Sequence, residues 1–261
     1  MVLLRSLLFN LCFFAFTAAG GVLLSPALVL RREVSLALVR WWARQVLRLL
    51  RVLAGIEVRV TGAEHLPAEG PALIAAKHQS AFDTIIWLAL LPRPAYVLKR
   101  ELLAIPFYGW FTARSGQIGV DRGAGAAAIR TLLRGAEAAW ADRRQVVIFP
   151  QGTRVAARPG TAETHPYQPG VVALYMRGKL PVIPVATDSG RFWPRRSFLK
   201  YPGTITIAVL EPIPPGLPRP LFEATLTGVI EAASDALLST PVDKPVGSGA
   251  ARAPPSHEHA R

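Results

Sequence analysis

The chain of 261 residues has a single cysteine, Cys12, so it can form neither an internal disulfide nor a cysteine-based zinc site. Histidine is scarce: His65 and His165 show no metal-ligand spacing, and no metal site is expected. Acidic residues are also few, 17 against 30 Lys and Arg, which leaves a net charge of +13. That imbalance calls for an anionic partner, either lipid headgroups or nucleic acid. Gly and Pro together make up about 17% of the chain, below the level of low-complexity disorder. No internal repeat is visible. What is present is apolar character: 51% hydrophobic residues and a mean hydropathy of +0.31, high for a freely soluble protein. A chain both greasy and cationic fits a protein seated on anionic lipid.

Both properties concentrate at the N-terminus. Residues 6–30 carry no charge, a length that can span a bilayer core of ~30 Å. Gly20, Gly21 and Pro26 interrupt the run and argue against one straight helix. The rival is a signal peptide, with Arg5 before the apolar stretch and the small residues Ala18, Ala19 and Gly20 within it. Residues 33–54 read as a helix in which Arg40, Arg44, Arg48 and Arg51 form one stripe beside Trp41, Trp42 and Leu-rich faces. Such a helix suits the headgroup layer, and the rival is an ordinary surface helix with a solvated Arg face. Through Arg59 the chain has 8 basic and 2 acidic residues, so a spanning first segment would leave the remainder in the cytoplasm. At the other end, residues 241–261 are rich in Pro, Ala, Gly and Ser and are expected to be a disordered tail. It holds His257 and His259, read as solvated.

Between these ends, short apolar runs alternate with helical stretches. Strands are expected at residues 56–61, 71–76, 95–98, 117–120, 145–149, 180–186 and 204–210. Helices are expected at 83–91, 125–141, 170–177 and 221–238. Residues 56–61 alternate apolar and polar, as an edge strand does. The pattern predicts an α/β domain over 55–240, with a mixed, largely parallel sheet flanked by helices, behind an N-terminal helical anchor over 1–54.

In such folds chemistry sits on loops beyond strand C-termini, and four polar stretches occupy those places. Residues 77–83 (KHQSAFD) set Asp83 five after His78, so the carboxylate can turn back onto the ring of a general base. Alone that spacing arises by chance in roughly one such chain in nine, and the plain alternative is an Asp capping the next helix. Residues 116–122 (GQIGVDR) and 149–154 (FPQGTR) each offer Gly and Arg, a pairing suited to phosphate oxygens. Residues 182–190 (VIPVATDSG) pass from an apolar run to small polar residues.

Taken in order, these four stretches resemble the glycerolipid acyltransferases, above all the 1-acylglycerol-3-phosphate acyltransferases. The family's first block, N-H-x-x-x-x-D, is matched by His78, Ser80 and Asp83; the second by Lys99 through Trp110 and on to Gly116, Ile118 and Arg122. The third, F-P-E-G-T-R, appears as FPQGTR, and the fourth as VIPV with Pro184. The resemblance covers about residues 56–210. Lys77 stands where the family has Asn, and Gln151 where it has Glu; the first change leaves the base and carboxylate intact, the second removes a negative charge from the acceptor site.

The resemblance implies transfer of an acyl chain from acyl-CoA or an acyl carrier protein to the sn-2 hydroxyl of lysophosphatidic acid. The product would be phosphatidic acid for phospholipid synthesis. His78 would be the base, oriented by Asp83. Arg122 and Arg154 would hold the acceptor phosphate, with Ser80, Lys99, Gln151, Gly152 and Thr153 completing the substrate site. No cofactor is implied beyond the thioester co-substrate, and the expected setting is membrane phospholipid at the cytoplasmic face of the inner membrane. The rivals are another acceptor, such as a lyso-aminolipid or a different lysophospholipid, and a non-catalytic lipid-binding protein. A third rival is a basic nucleic-acid binder; against it, the densest basic stripe shares its helix with Trp and Leu and no recognition motif appears. Arg195, Arg196 and Lys200 beside Phe192 and Trp193 are expected to form a second membrane-facing patch.

Overall fold

Strands and helices alternate over residues 56–239 of the computed structural model, which describes residues 1–241; apart from Pro241 the expected tail lies outside the described residues. In chain order the elements are α1 (Val2–Leu23), α2 (Arg32–Leu49), β1 (Ile56–Thr61), β2 (Ala72–Ala76), α3 (Phe82–Leu90) and β3 (Pro94–Lys99). Then come α4 (Tyr108–Arg114), β4 (Ile118–Val120), α5 (Ala126–Ala141), β5 (Gln145–Ile148) and the single turn α6 (Thr161–Thr164). The chain closes with α7 (Pro169–Gly178), β6 (Val182–Thr187), the turn α8 (Ser189–Phe192), β7 (Gly203–Val209) and α9 (Arg219–Ser239). The seven strands form one sheet in the order β1-β7-β6-β2-β5-β3-β4. All neighbours are parallel except β6 and β7, so the sheet is mixed and mostly parallel, with β1 at one edge.

Side chains alternate across a strand, and in β2 this decides everything that follows. Ala72, Ile74 and Ala76 face a core shared with α1, α2 and α3. Leu73 and Ala75 face the other core, built with α5, α7 and α9. β2 lies mid-sheet and all five of its residues are buried, which explains its unbroken apolar run.

Helix α1 runs through Gly20 and Gly21 and ends ahead of Pro26, which lies in a 3₁₀ turn over Ser25–Val29. It is 22 residues long with a mean hydropathy of 1.8, enough by length and composition to cross a membrane. Its docking is one-sided. Ser6 and Phe9 are buried, while Leu4, Leu7, Leu11 and Phe14 stand exposed. Phe9 meets Trp193 edge-on at 5.3 Å between ring centroids, and Trp42 of α2 donates to Thr17 at 3.2 Å. Burial of a phenylalanine of this kind contributes about 1.5–3 kcal/mol. The second helix stops short of the expected residue 54: Leu50–Ala54 form one wider π turn, released by Gly55 in the left-handed region at φ 70°. Arg44, Arg48 and Arg51 of its stripe are exposed, and Arg40 is half-buried.

The strands expected at 117–120 and 180–186 are present: Ile118–Val120 pair with β3 and Val182–Thr187 with β2 and β7, leaving only the polar ends of the second and fourth stretches as loop. One expectation is corrected. The patch at Phe192, Trp193 and Lys200 does not face lipid. All three are buried, with Phe9 of α1 against Trp193 and Ser6 of α1 bonded to the Lys200 backbone, while Arg195 and Arg196 stay exposed. The Lys200 ammonium sits 5.1 Å from the Trp193 ring centroid and donates to the carbonyls of Ser197 and Phe198, and burial pulls its pKa down to about 8.

Candidate active site

β2 ends at Ala76, and the pleat carries the next two residues to opposite sides of the sheet. His78 continues the even-numbered face towards α3. Its Nδ1 lies 3.0 Å from Asp83 Oδ2 in the first turn of α3. Asp83 does not cap its own helix. The same oxygen accepts from the backbone N–H of Gln79 at 2.6 Å and of Ser80 at 2.8 Å, so the carboxylate pins the loop that precedes it. An ionised carboxylate only accepts, which places the ring proton on Nδ1 and leaves the Nε2 lone pair for a substrate. Phe149, at the end of β5, stacks on the imidazole at 4.0 Å and 18° and fixes its plane. A base held by a buried carboxylate on one nitrogen and open on the other can take a proton from a hydroxyl.

His78 opens into a cavity of about 690 Å³. Part of its lining is apolar: Phe14, Val39, Trp41 and Trp42 of α1 and α2, and Ile85 and Leu88 of α3. Another part is cationic: Lys99, Arg122, Arg154 and Arg195. Gly152 and Thr153 line it too, and Gly152 takes φ +67°, a conformation that a side chain would strain. Arg122 donates to the Gly152 carbonyl, and the backbone N–H of Val155 donates to the His78 carbonyl at 2.8 Å. Three sequence-distant stretches are thereby tied into one site. Burial pulls the Arg122 guanidinium below the usual arginine range, with Glu101 opposing. Among the described residues, no three His, Cys, Asp or Glu side chains cluster as metal ligands do.

Two of the expected site residues lie elsewhere. Ser80 is fully buried and its hydroxyl accepts from the Phe82 N–H at 3.1 Å, so it shapes the turn into α3 rather than facing the cavity. Gln151 is 5% exposed and turns away, its Nε2 donating to the His165 carbonyl at 3.1 Å. That geometry gives a physical reason for the amide, since a glutamate could not donate there.

Sequence reasoning passed over a second charged pair. Lys77 follows the odd-numbered face towards α9, where its Nζ meets Glu231 Oε1 at 2.5 Å and Oε2 at 2.6 Å, and Thr161 Oγ1 at 2.7 Å. Tyr167 donates to the same glutamate at 3.0 Å. Lys77 is buried, which pulls its pKa below the usual lysine range against the pull of Glu231. The one available sequence signal was a lysine on the buried run of β2, a position that demands a partner.

Residues 57–188 match the model of the protein family described as Acyltransferase. The chain is 34% identical over 209 residues to 1-acyl-sn-glycerol-3-phosphate acyltransferase of Pseudomonas aeruginosa, an alignment covering 79% of each chain. It is also 34% identical over 154 residues to the enzyme of the same name from Saccharomyces cerevisiae, covering 58% of this chain and 50% of that one. In fold it resembles the crystal structure of the 1-acyl-sn-glycerophosphate (LPA) acyltransferase PlsC from Thermotoga maritima. The TM-score is 0.73 at 20% identity, over 92% of this chain and 97% of that one.

Proposed function

The chain belongs to the acyltransferase family, and from that membership we propose that it acylates the sn-2 hydroxyl of 1-acylglycerol-3-phosphate to give phosphatidic acid. One observation carries the reading: the His78–Asp83 pair opens into a cavity lined both by apolar side chains and by Lys99, Arg122 and Arg154. A lysolipid phosphate has the same two characters, an acyl chain and a dianionic head. Gln151 was the motive for a different acceptor, and its side chain turned towards His165 takes that motive away.

In this mechanism the acceptor phosphate rests on Arg122 and Arg154, which brings the free hydroxyl to Nε2 of His78. The imidazole removes the hydroxyl proton as the oxygen attacks the thioester carbonyl carbon. Asp83 stabilises the imidazolium that forms. The tetrahedral intermediate collapses with cleavage of the C–S bond, and the imidazolium returns the proton to the departing thiolate. The thioester, carried by coenzyme A or an acyl carrier protein, is a co-substrate, and the scheme uses no metal or other cofactor.

The exposed apolar face of α1 and the exposed Arg44, Arg48 and Arg51 support a seat on anionic membrane, with the catalytic domain on the cytoplasmic side of the inner membrane. The test is product identification by mass spectrometry with detergent-purified protein, an acyl thioester and lysophosphatidic acid. Phosphatidic acid from the wild type and none from His78→Ala is the expected result. Equal rates from both proteins overturn the mechanism.

A further inference from the structure

A second cavity, of about 340 Å³, lies beside the first. Arg195 lines both and donates to the Arg154 carbonyl at 2.8 Å, so the two cavities adjoin at that side chain. The loop that walls it begins at Val155, the residue whose N–H holds the His78 carbonyl. Arg158 and Arg195 bring two guanidinium groups, His165 an imidazole and Thr164 a hydroxyl; among the described residues that line the cavity none is acidic. At its inner side Gln79 is 1% exposed. Its Oε1 accepts from the Gly190 N–H at 3.0 Å, while its Nε2 is buried with no partner. A buried amide with a free donor beside two arginines suits an acceptor-rich ligand such as a phosphate.

The reaction proposed above has three arms to accommodate at one carbonyl carbon. The acyl tail fits the apolar side chains of the first cavity, and the lysolipid phosphate fits its arginines. The third arm is the thioester's pantetheine, which ends in phosphate and leads away from His78. We infer that the second cavity binds the phosphate-bearing nucleotide end of a coenzyme A donor, with Arg158 and Arg195 on its phosphates. Coenzyme A is favoured over a carrier protein because the site is concave and small, whereas a protein carrier docks on an open face. This inference rests on the acyl-transfer reading of the first cavity.

The experiment uses the full chain in detergent and varies one substrate at a time. Arg158 is exposed, so Arg158→Ala should fold. It should raise the KM for acyl-CoA about tenfold, the effect of losing one charge-assisted contact, and leave the KM for lysophosphatidic acid at its wild-type value. Arg158→Lys should recover part of the loss, and Arg158→Glu should deepen it. Adenosine 3′,5′-bisphosphate, which has neither acyl chain nor pantetheine, should compete with acyl-CoA and bind Arg158→Ala about tenfold more weakly by calorimetry. A rise in the KM for lysophosphatidic acid instead, a rise confined to an acyl carrier protein donor, or no change in any KM overturns the inference. Calorimetry separates it from the reading it rests on. Bisphosphate binding without acyl transfer to lysophosphatidic acid sinks the function and keeps the cavity; transfer without bisphosphate binding does the reverse.

Discussion

Lys77 and His78 are neighbours in the chain, yet each meets a carboxylate on a different side of the sheet. His78 finds Asp83 five residues away, in a loop and helix that fold back locally. Lys77 finds Glu231, 154 residues away on the last helix. The first pair is 12% and 3% exposed at its side chains and keeps one nitrogen open to a cavity; in the second the lysine is 2% exposed and its ammonium is held within the fold by Glu231 and Thr161. Identical backbone neighbours thus serve opposite ends. One pair is open on the substrate side and holds a proton-transfer group; the other closes the sheet's far face and clamps α9 and Thr161 to the strand end. The pleat separates chemistry from scaffolding by a single residue.

The comparison can be broken most sharply at His78. His78→Ala should lower kcat by about 10³-fold or more in an acyl-transfer assay while leaving the melting temperature near wild type, because the ring borders a cavity. Asp83→Asn should cost about 10²-fold or more in kcat, since an amide no longer stabilises the imidazolium and it would set donors against the Gln79 and Ser80 N–H groups. At Lys77 the reverse is expected. Lys77→Met strands Glu231 and should cost about 3–5 kcal/mol of stability in denaturant unfolding, whereas Lys77→Met with Glu231→Leu should recover most of it. A lysine variant that loses rate without losing stability would erase the distinction between the two pairs. Arg154→Ala should raise the acceptor KM about tenfold or more with a smaller effect on kcat; a lost kcat at unchanged KM would reassign it to the transition state. The smallest effect belongs to Gln151→Glu. It should keep activity on lysophosphatidic acid and lower stability by about 1–3 kcal/mol, as a carboxylate faces the His165 carbonyl.

What could be read from the chain follows the same local-versus-distant divide. The strand–helix alternation, the edge position of β1 and the His78–Asp83 pair all rest on neighbours a few residues apart, where periodicity and turn chemistry speak directly. Gln151 and Ser80 were assigned to the substrate side because a motif gives residue order and not side-chain direction; the structure turns one to His165 and buries the other under α3. Glu231 lay in an amphipathic helix where any exposed glutamate would look the same. Trp193 and Lys200 read as a membrane patch because nothing within ten residues announces that α1, from the opposite end of the chain, will cover them.

That cover has a consequence for how the protein is made. Ser6 bonds to the backbone of Lys200, 194 residues further on, and Phe9 meets Trp193 edge-on. At ribosomal speeds of about 5–20 residues per second, the first helix waits about 10–40 s before its seat on the domain exists. An apolar helix left uncovered that long is prone to aggregate, so the order of synthesis leaves α1 without its protein seat until residue 200 has been made.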